Sequence, residues 1–212
     1  MKDIVFTPRV YDLPYATDRR RGVHPQLDLR THPHTIDEIP ELRIEPLLKC
    51  LVLALNDPSG IFMTLGSDLK TSRPGRPGST VIPVPAAGEG APYWYTANVI
   101  FSFWCLTQNT QEHFRDVYDR CPSGGQDCIV CFEWGPAYYW ALSERAAGKK
   151  SGNASGAVCG IWVTGWGGTA SEAHDKWSDG MDDLISFFKD ASSILKGLES
   201  PSGLTLSEIM FG

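Results

Sequence analysis

His32-Pro33-His34, with Asp37 and Glu38 close behind, is the group whose residue types and spacing look most like a metal centre. Alternate histidines on an extended segment can converge on one ion, and Asp37 would complete a site that activates water for hydrolysis. The surrounding segment is polar and proline-rich, however, a setting in which exposed histidines ordinarily bind nothing. Cys128-Ile-Val-Cys131 has C-x-x-C spacing, but apolar residues flank it on both sides. In a strand its two thiols would point to opposite faces, which suits neither a redox pair nor a zinc site. Gly165-Trp-Gly-Gly-Thr-Ala170 fits the loose G-x-G-x-x-A pattern that brings backbone amides to a pyrophosphate. The parallel strand ending in an acidic residue that should follow has no room, and no Gly-Lys-Ser/Thr phosphate loop occurs. Tight packing of a strand on a helix explains these glycines better. G-x-S-x-G and H-E-x-x-H arrangements are also missing from the chain. The expectation is a protein with no catalytic residues and no cofactor. Two alternatives stand beside it: a small metal-assisted hydrolase using His32, His34 and Asp37, and a small-molecule binding domain built around an aromatic strand.

The elements that would position these residues can be read from hydrophobic period and punctuation. Residues 3–10 form a candidate strand, confined to an edge by Pro8. Residues 11–40 hold many prolines and charges without a period, so residues 1–41 read as an irregular arm and residues 42–198 as the core. Pro46 opens a helix over LLKCLVLAL that Asn56-Asp57-Pro58 stops. GIFMTL at 60–65 is a strand, and 70–78 is a basic proline-glycine loop carrying Lys70, Arg73 and Arg76. A short strand, TVIPVP, follows the loop. Residues 93–106 alternate with period two, which gives one apolar face and one mixed face. Asn109 with Glu112 has the look of a capped helix start. DCIVCFEW at 127–134 is a buried strand, and Gly135-Pro136 is expected to end it and open a helix. AVCGIWVTG is the final strand. Together these predict one α+β domain over residues 1–212. Its sheet is mainly antiparallel or mixed and packed by helices, and a long C-terminal amphipathic helix closes the fold.

The whole-chain balance narrows function further. A chain of 212 residues with 42% hydrophobic content can bury a full core without staples. A formal net charge of -6 argues against nucleic acid as a partner and for a basic protein. No run of residues is long and apolar enough for a membrane span, and residues 1–18 lack the apolar centre of a secretory signal, so a cytoplasmic location is expected. Of six scattered cysteines, Cys50, Cys105, Cys131 and Cys159 stand in apolar settings, and the set is expected as reduced structural residues.

The long helix is the best candidate surface. Thr169-Ala-Ser-Glu172 has capping-box spacing, and Trp177, Met181, Leu184, Ile185, Phe188 and Leu195 recur at helical intervals as a core face. At roughly 100° per residue, Glu172, Asp175, Asp179, Asp182, Asp183 and Asp190 share an outward arc of about 100°. Only Glu172 and Lys176 have a helpful i,i+4 order, so most of these acids repel one another. Such a face suits either plain solvation or the docking of a basic protein.

Three stretches also carry a resemblance: LALNDPSGIFMTLGSDL, the aromatic strand YWYTANVIFSFW, and GIWVTGWGGTASEAHDKW before the long helix. In order of elements, over roughly residues 42–198, the chain resembles immunity proteins of bacterial polymorphic-toxin systems. The closest type is the α+β group paired with restriction-endonuclease-fold DNase toxins delivered by type VI secretion. The resemblance implies a cytoplasmic inhibitor without catalysis that binds a cognate toxin. It assigns no contact residues, because no binding motif matches position by position.

Overall fold

The computed structural model describes residues 2–6, 10–13, 27–71, 91–143, 154–194 and 203–212. Strands β1 (Lys2–Phe6), β2 (Tyr11–Leu13), β3 (Phe62–Thr71), β4 (Tyr93–Phe103), β5 (Cys128–Tyr139) and β6 (Ala154–Gly167) form one six-stranded sheet. Its order is β1-β5-β6-β4-β3, with β2 continuing the β1 edge along β5. The sheet is mixed: β1 and β2 run parallel to β5, and the other pairings are antiparallel. Helices α1 (Pro40–Ile44), α2 (Pro46–Leu55), α3 (Gln111–Arg120), α4 (Ala170–Ile194) and α5 (Leu206–Phe211) complete an α+β fold. The long α4 is not the last element, because α5 follows it.

The odd positions of β4 (Ala97, Val99, Phe101, Phe103) join the larger core with α2, α3 and α4. Rings from four elements fill it: Phe62, Phe114 and Phe188 all lie with centroids 5.3–5.8 Å from Phe101. The space behind the aromatic strand is therefore occupied by protein. The mixed face of β4 is buried too, and its polar groups are paired, as burial demands. Thr96 Oγ1 donates to Val163 O at 2.9 Å and Asn98 Nδ2 to Ile161 O at 3.1 Å. Ser102 Oγ donates to Asn109 Oδ1 at 2.6 Å. At one end this second face is closed by α5, whose Leu206 and Met210 pack on Met63, Leu65, Tyr139 and Val158.

Several expectations need correction. Gly135-Pro136 does not end β5, which runs on through Tyr139. Pro136 is tolerated because of where its missing N–H would point. Trp140 N donates to Leu13 O, so even positions of β5 turn their amides toward the β1–β2 edge. Pairing with β1 stops at Trp134 and pairing with β2 starts at Ala137, so no described residue pairs with position 136 on that side. Tyr138 and Tyr139 thus belong to a strand and not to a helix. The cap of α3 is Thr110, which accepts from His113 N, while Asn109 is buried and accepts from Phe103 N. β3 runs to Thr71, so Lys70 belongs to the sheet and not to a loop. Residues 73, 76 and 80–85, Pro8 and Leu195 lie outside the described residues. The segment read as an arm contributes to the core as well, through Tyr11, Leu13, Leu29 and Ile36.

Arg30, from that same segment, is 6% exposed. Its guanidinium donates to the carbonyls of Asp57, Pro58, Gly60 and Phe62 at 2.7–2.9 Å and lies over the Trp104 ring. Five donors in a planar fork suit this task, and lysine could not reproduce it. The turn that stops α2 and starts β3 is built around this one side chain.

Candidate partner-binding surface

The position of α4 is set by glycine. A Cβ on Gly165 of β6 would lie 2.4 Å from Trp177 N and 2.5 Å from Ala173 O, so helix and strand meet backbone to backbone. Gly180 does the reverse job from the helix side, where a Cβ would meet the Cys128 sulfur at 2.6 Å. With the helix seated this deeply, Trp177, Met181, Leu184, Ile185 and Phe188 are all buried.

The glycine corner before α4 is not an anion cradle. Glu172 Oε2 accepts from Gly168 N at 2.8 Å and from Thr169 N at 3.1 Å, and Glu172 N donates to Thr169 Oγ1. The chain's own carboxylate takes the amides that a phosphate would need.

Beyond that cap the expected acids face outward. Glu172, Asp175, Asp179, Asp182, Asp183 and Asp190 are exposed along α4. From Glu172 to Asp190 the row runs about 27 Å at the helical rise. Glu172 is committed to the cap. Among the described residues, Asp175, Asp179, Asp182 and Asp183 have no hydrogen-bond or ion-pair partner. Asp179 and Asp183 stand near Cys128, and Asp183 near Cys121. They add to the upward push on these thiols, whose larger cause is burial.

A second cluster, missed in the sequence, pins the start of α4 to α2 and β4. Glu45, the cap of α2, is buried; its Oε1 accepts from Leu47 N and its Oε2 from Tyr95 Oη at 2.7 Å. Burial chiefly, and then the bond to Glu45, holds the Tyr95 phenol protonated well above its ordinary range. His174 Nε2 approaches the same Oε2 at 3.4 Å, and its ring packs edge-on against Tyr95. Ser178 on the next turn of α4 gives its proton to His174 O at 2.9 Å. Its Oγ also stands 3.4 Å from His174 Nδ1, so the serine touches both the helix backbone and the imidazole. A glutamate just before Pro46 and a histidine on the apolar side of α4 were the available signals, but nothing in the sequence joins them to Tyr95.

The remaining candidates separate. His32 and His34 are exposed, with ring centroids 6.0 Å apart. Asp37 is engaged by Lys49 at 2.6 Å. No group of three metal-ligating side chains converges among the described residues, so the hydrolytic arrangement of His32, His34 and Asp37 does not form. Compared with protein-family models, curated proteins and solved structures, the chain has no match. Cys128 faces Gly180 while Cys131 packs with Trp162 on the other side of the sheet, which removes the C-x-x-C pair. Burial pushes Cys128 up to about 11 and Cys131 and Cys121 up to about 12, so none presents a thiolate near neutral pH. Cys50 departs from its apolar sequence setting, since it is exposed on α2. His24 and Arg19-Arg20-Arg21 lie outside the described residues. Among those described, no helix is long and apolar enough to cross a membrane.

Proposed function

We propose that this protein is a non-catalytic inhibitor, an immunity protein acting in the cytoplasm, which binds and neutralises a cognate toxin through the outer face of α4. The observation that carries the reading is a row of four exposed aspartates, Asp175, Asp179, Asp182 and Asp183, without partners among the described residues. Unpaired like charges repel each other and offer the fold nothing beyond the dipole at the helix start. A basic partner would relieve that repulsion and be drawn in by it. A nuclease, which must hold phosphates, has a surface of that kind. The glycine seat and the Glu45–Tyr95–His174 cluster support the same reading, because a rigidly held helix loses little entropy when it binds.

The test is capture of the partner by tagged protein from the native host's lysate, with a parallel high-salt wash and mass spectrometry. One stoichiometric toxin that leaves in high salt agrees with the proposal. Charge reversal of Asp175, Asp179 and Asp183 together should then slow association by about tenfold or more. An unchanged association rate in a folded triple variant would remove α4 from the interface.

A further inference from the structure

The outer edge of the sheet at β3 is closed along one half and open along the other. In the first half, Arg30 donates to Phe62 O and Asn56 Oδ1 accepts from Thr64 N, so two side chains take the main-chain groups that would otherwise face outward. A register shift between Thr64 and Gly66 then follows. Side-chain caps and bulges of this kind are how edge strands avoid pairing with other chains. Beyond the bulge the protection ends. Ser67, Leu69 and Thr71 stand opposite Val99, Ala97 and Tyr95, the same odd positions of β4 that oppose Phe62 and Thr64 before the shift. They therefore turn their N–H and C=O groups outward, as Phe62 and Thr64 do. Among the described residues nothing bonds to these outward groups.

We propose that this open half of β3 is the seam of a two-fold homodimer, in which β3 of a second copy adds antiparallel with Leu69 opposite Leu69. The side chains select both the occupant and the register. In that register Asp68 faces Lys70 of the other copy twice over, at non-hydrogen-bonded positions where side chains are nearest. Ser67 faces Thr71, and the two leucines meet on the helix-covered side. The outward groups of residues 67, 69 and 71 all find partners in the facing strand. Moving the centre one residue either way sets Asp68 against Asp68 or Lys70 against Lys70. In the lone chain Asp68 and Lys70 pair with each other at 2.7 Å with both side chains part-exposed, and Lys70 also lies over the Trp162 ring, so a facing strand would draw Lys70 from these two solvent-accessible contacts. Ile44, at 73% the most exposed large apolar side chain among the described residues, follows Glu41 by one turn of α1. Glu41 holds the Ser67 hydroxyl at 2.8 Å, which places this exposed isoleucine beside the seam.

Sedimentation of the full chain from about 1 µM to about 1 mM tests the proposal, with D68K, K70D and the double swap D68K/K70D in parallel. Wild type and double swap should dimerise, whereas each single variant replaces two attractions by two repulsions and raises the dimer dissociation constant roughly tenfold or more. An equal mixture of the two single variants should recover the dimer, since lysines then face aspartates across the seam. Amide exchange at Ser67, Leu69 and Thr71 should slow as wild-type concentration rises, a readout that holds even where a single variant loses its circular-dichroism spectrum. A wild type monomeric throughout, single variants that associate like wild type, or protection confined to other strands would each overturn the proposal.

Discussion

Replacing Gly165 by alanine adds one methyl group at the point where α4 meets the sheet. That methyl would sit 2.4 Å from Trp177 N and 2.5 Å from Ala173 O, and both obstacles are backbone with no rotamer to yield. Restoring ordinary contact near 3.4 Å requires about 1 Å of retreat by the helix. A gap of that size forfeits a quarter to a half of the dispersion attraction of every contact it opens. The affected contacts are those of Trp177, Met181, Leu184 and Phe188, each 3% exposed or less. Overpacking against soft side chains costs about 1–3 kcal/mol, and against backbone on a helix this long we expect about 3 kcal/mol or more. The assay is equilibrium urea unfolding, with Gly125→Ala as the control because a Cβ there meets nothing within 4 Å. The control should lie within about 0.5 kcal/mol of wild type. If Gly165→Ala costs less than about 1 kcal/mol at an unchanged urea dependence, the seat of α4 is not fixed by backbone contact.

Other expectations follow from single side chains. Arg30→Ala strips four carbonyls of their donor and should cost about 3 kcal/mol in urea unfolding, with Arg30→Lys recovering less than half. Tyr95→Phe removes the hydroxyl that serves buried Glu45 and should cost about 1–2 kcal/mol by the same measurement. A thiol reagent at neutral pH should label Cys50 quickly and the other five cysteines only after unfolding; early labelling of Cys128 or Cys131 would contradict their burial. Those thiols also set an alkaline limit. Their folded values are raised by burial from about 9 to about 11 for Cys128 and about 12 for Cys121 and Cys131, so the unfolded chain ionises first. Their stabilisation is complete below about pH 9 and is lost as pH rises toward 11–12, at up to about 1.4 kcal/mol per thiol per pH unit. Stability that is flat from pH 8 to pH 11 would refute that account.

Elements governed by local periodicity were legible in the sequence. The core face of α4, its cap at Thr169 and Glu172, and the period-two strand around Val99 follow from spacing that short-range geometry enforces. The misreadings share a cause, which is context supplied from far along the chain. Pro136 sits inside a strand whose neighbours β1 and β2 come from the start of the chain, and no local rule reveals where their pairing stops at Trp134 and resumes at Ala137. Asn109 looks like a cap, yet it is drawn inward by Ser102 and Phe103 while Thr110 takes the role. The acidic row was visible as a helical arc, whereas its lack of partners required the neighbouring surface. Glu45, Tyr95 and His174 come from three distant segments, and such a meeting leaves no trace in spacing.

The parallel pairing of β1 with β5 has a bearing on how the chain is made. Among the described residues β1 pairs with β5 alone, 128 positions further along, so during synthesis β1 waits through most of translation before its hydrogen-bonding edge exists. The antiparallel set β3, β4, β5 and β6 can assemble first, and the Lys2 ammonium then clips β1 into place by donating to Tyr118 O and Cys121 O at the end of α3. Until that clip closes, the β5 edge is a sticky flank on a nascent chain. The cell must either shield that flank or finish the protein quickly.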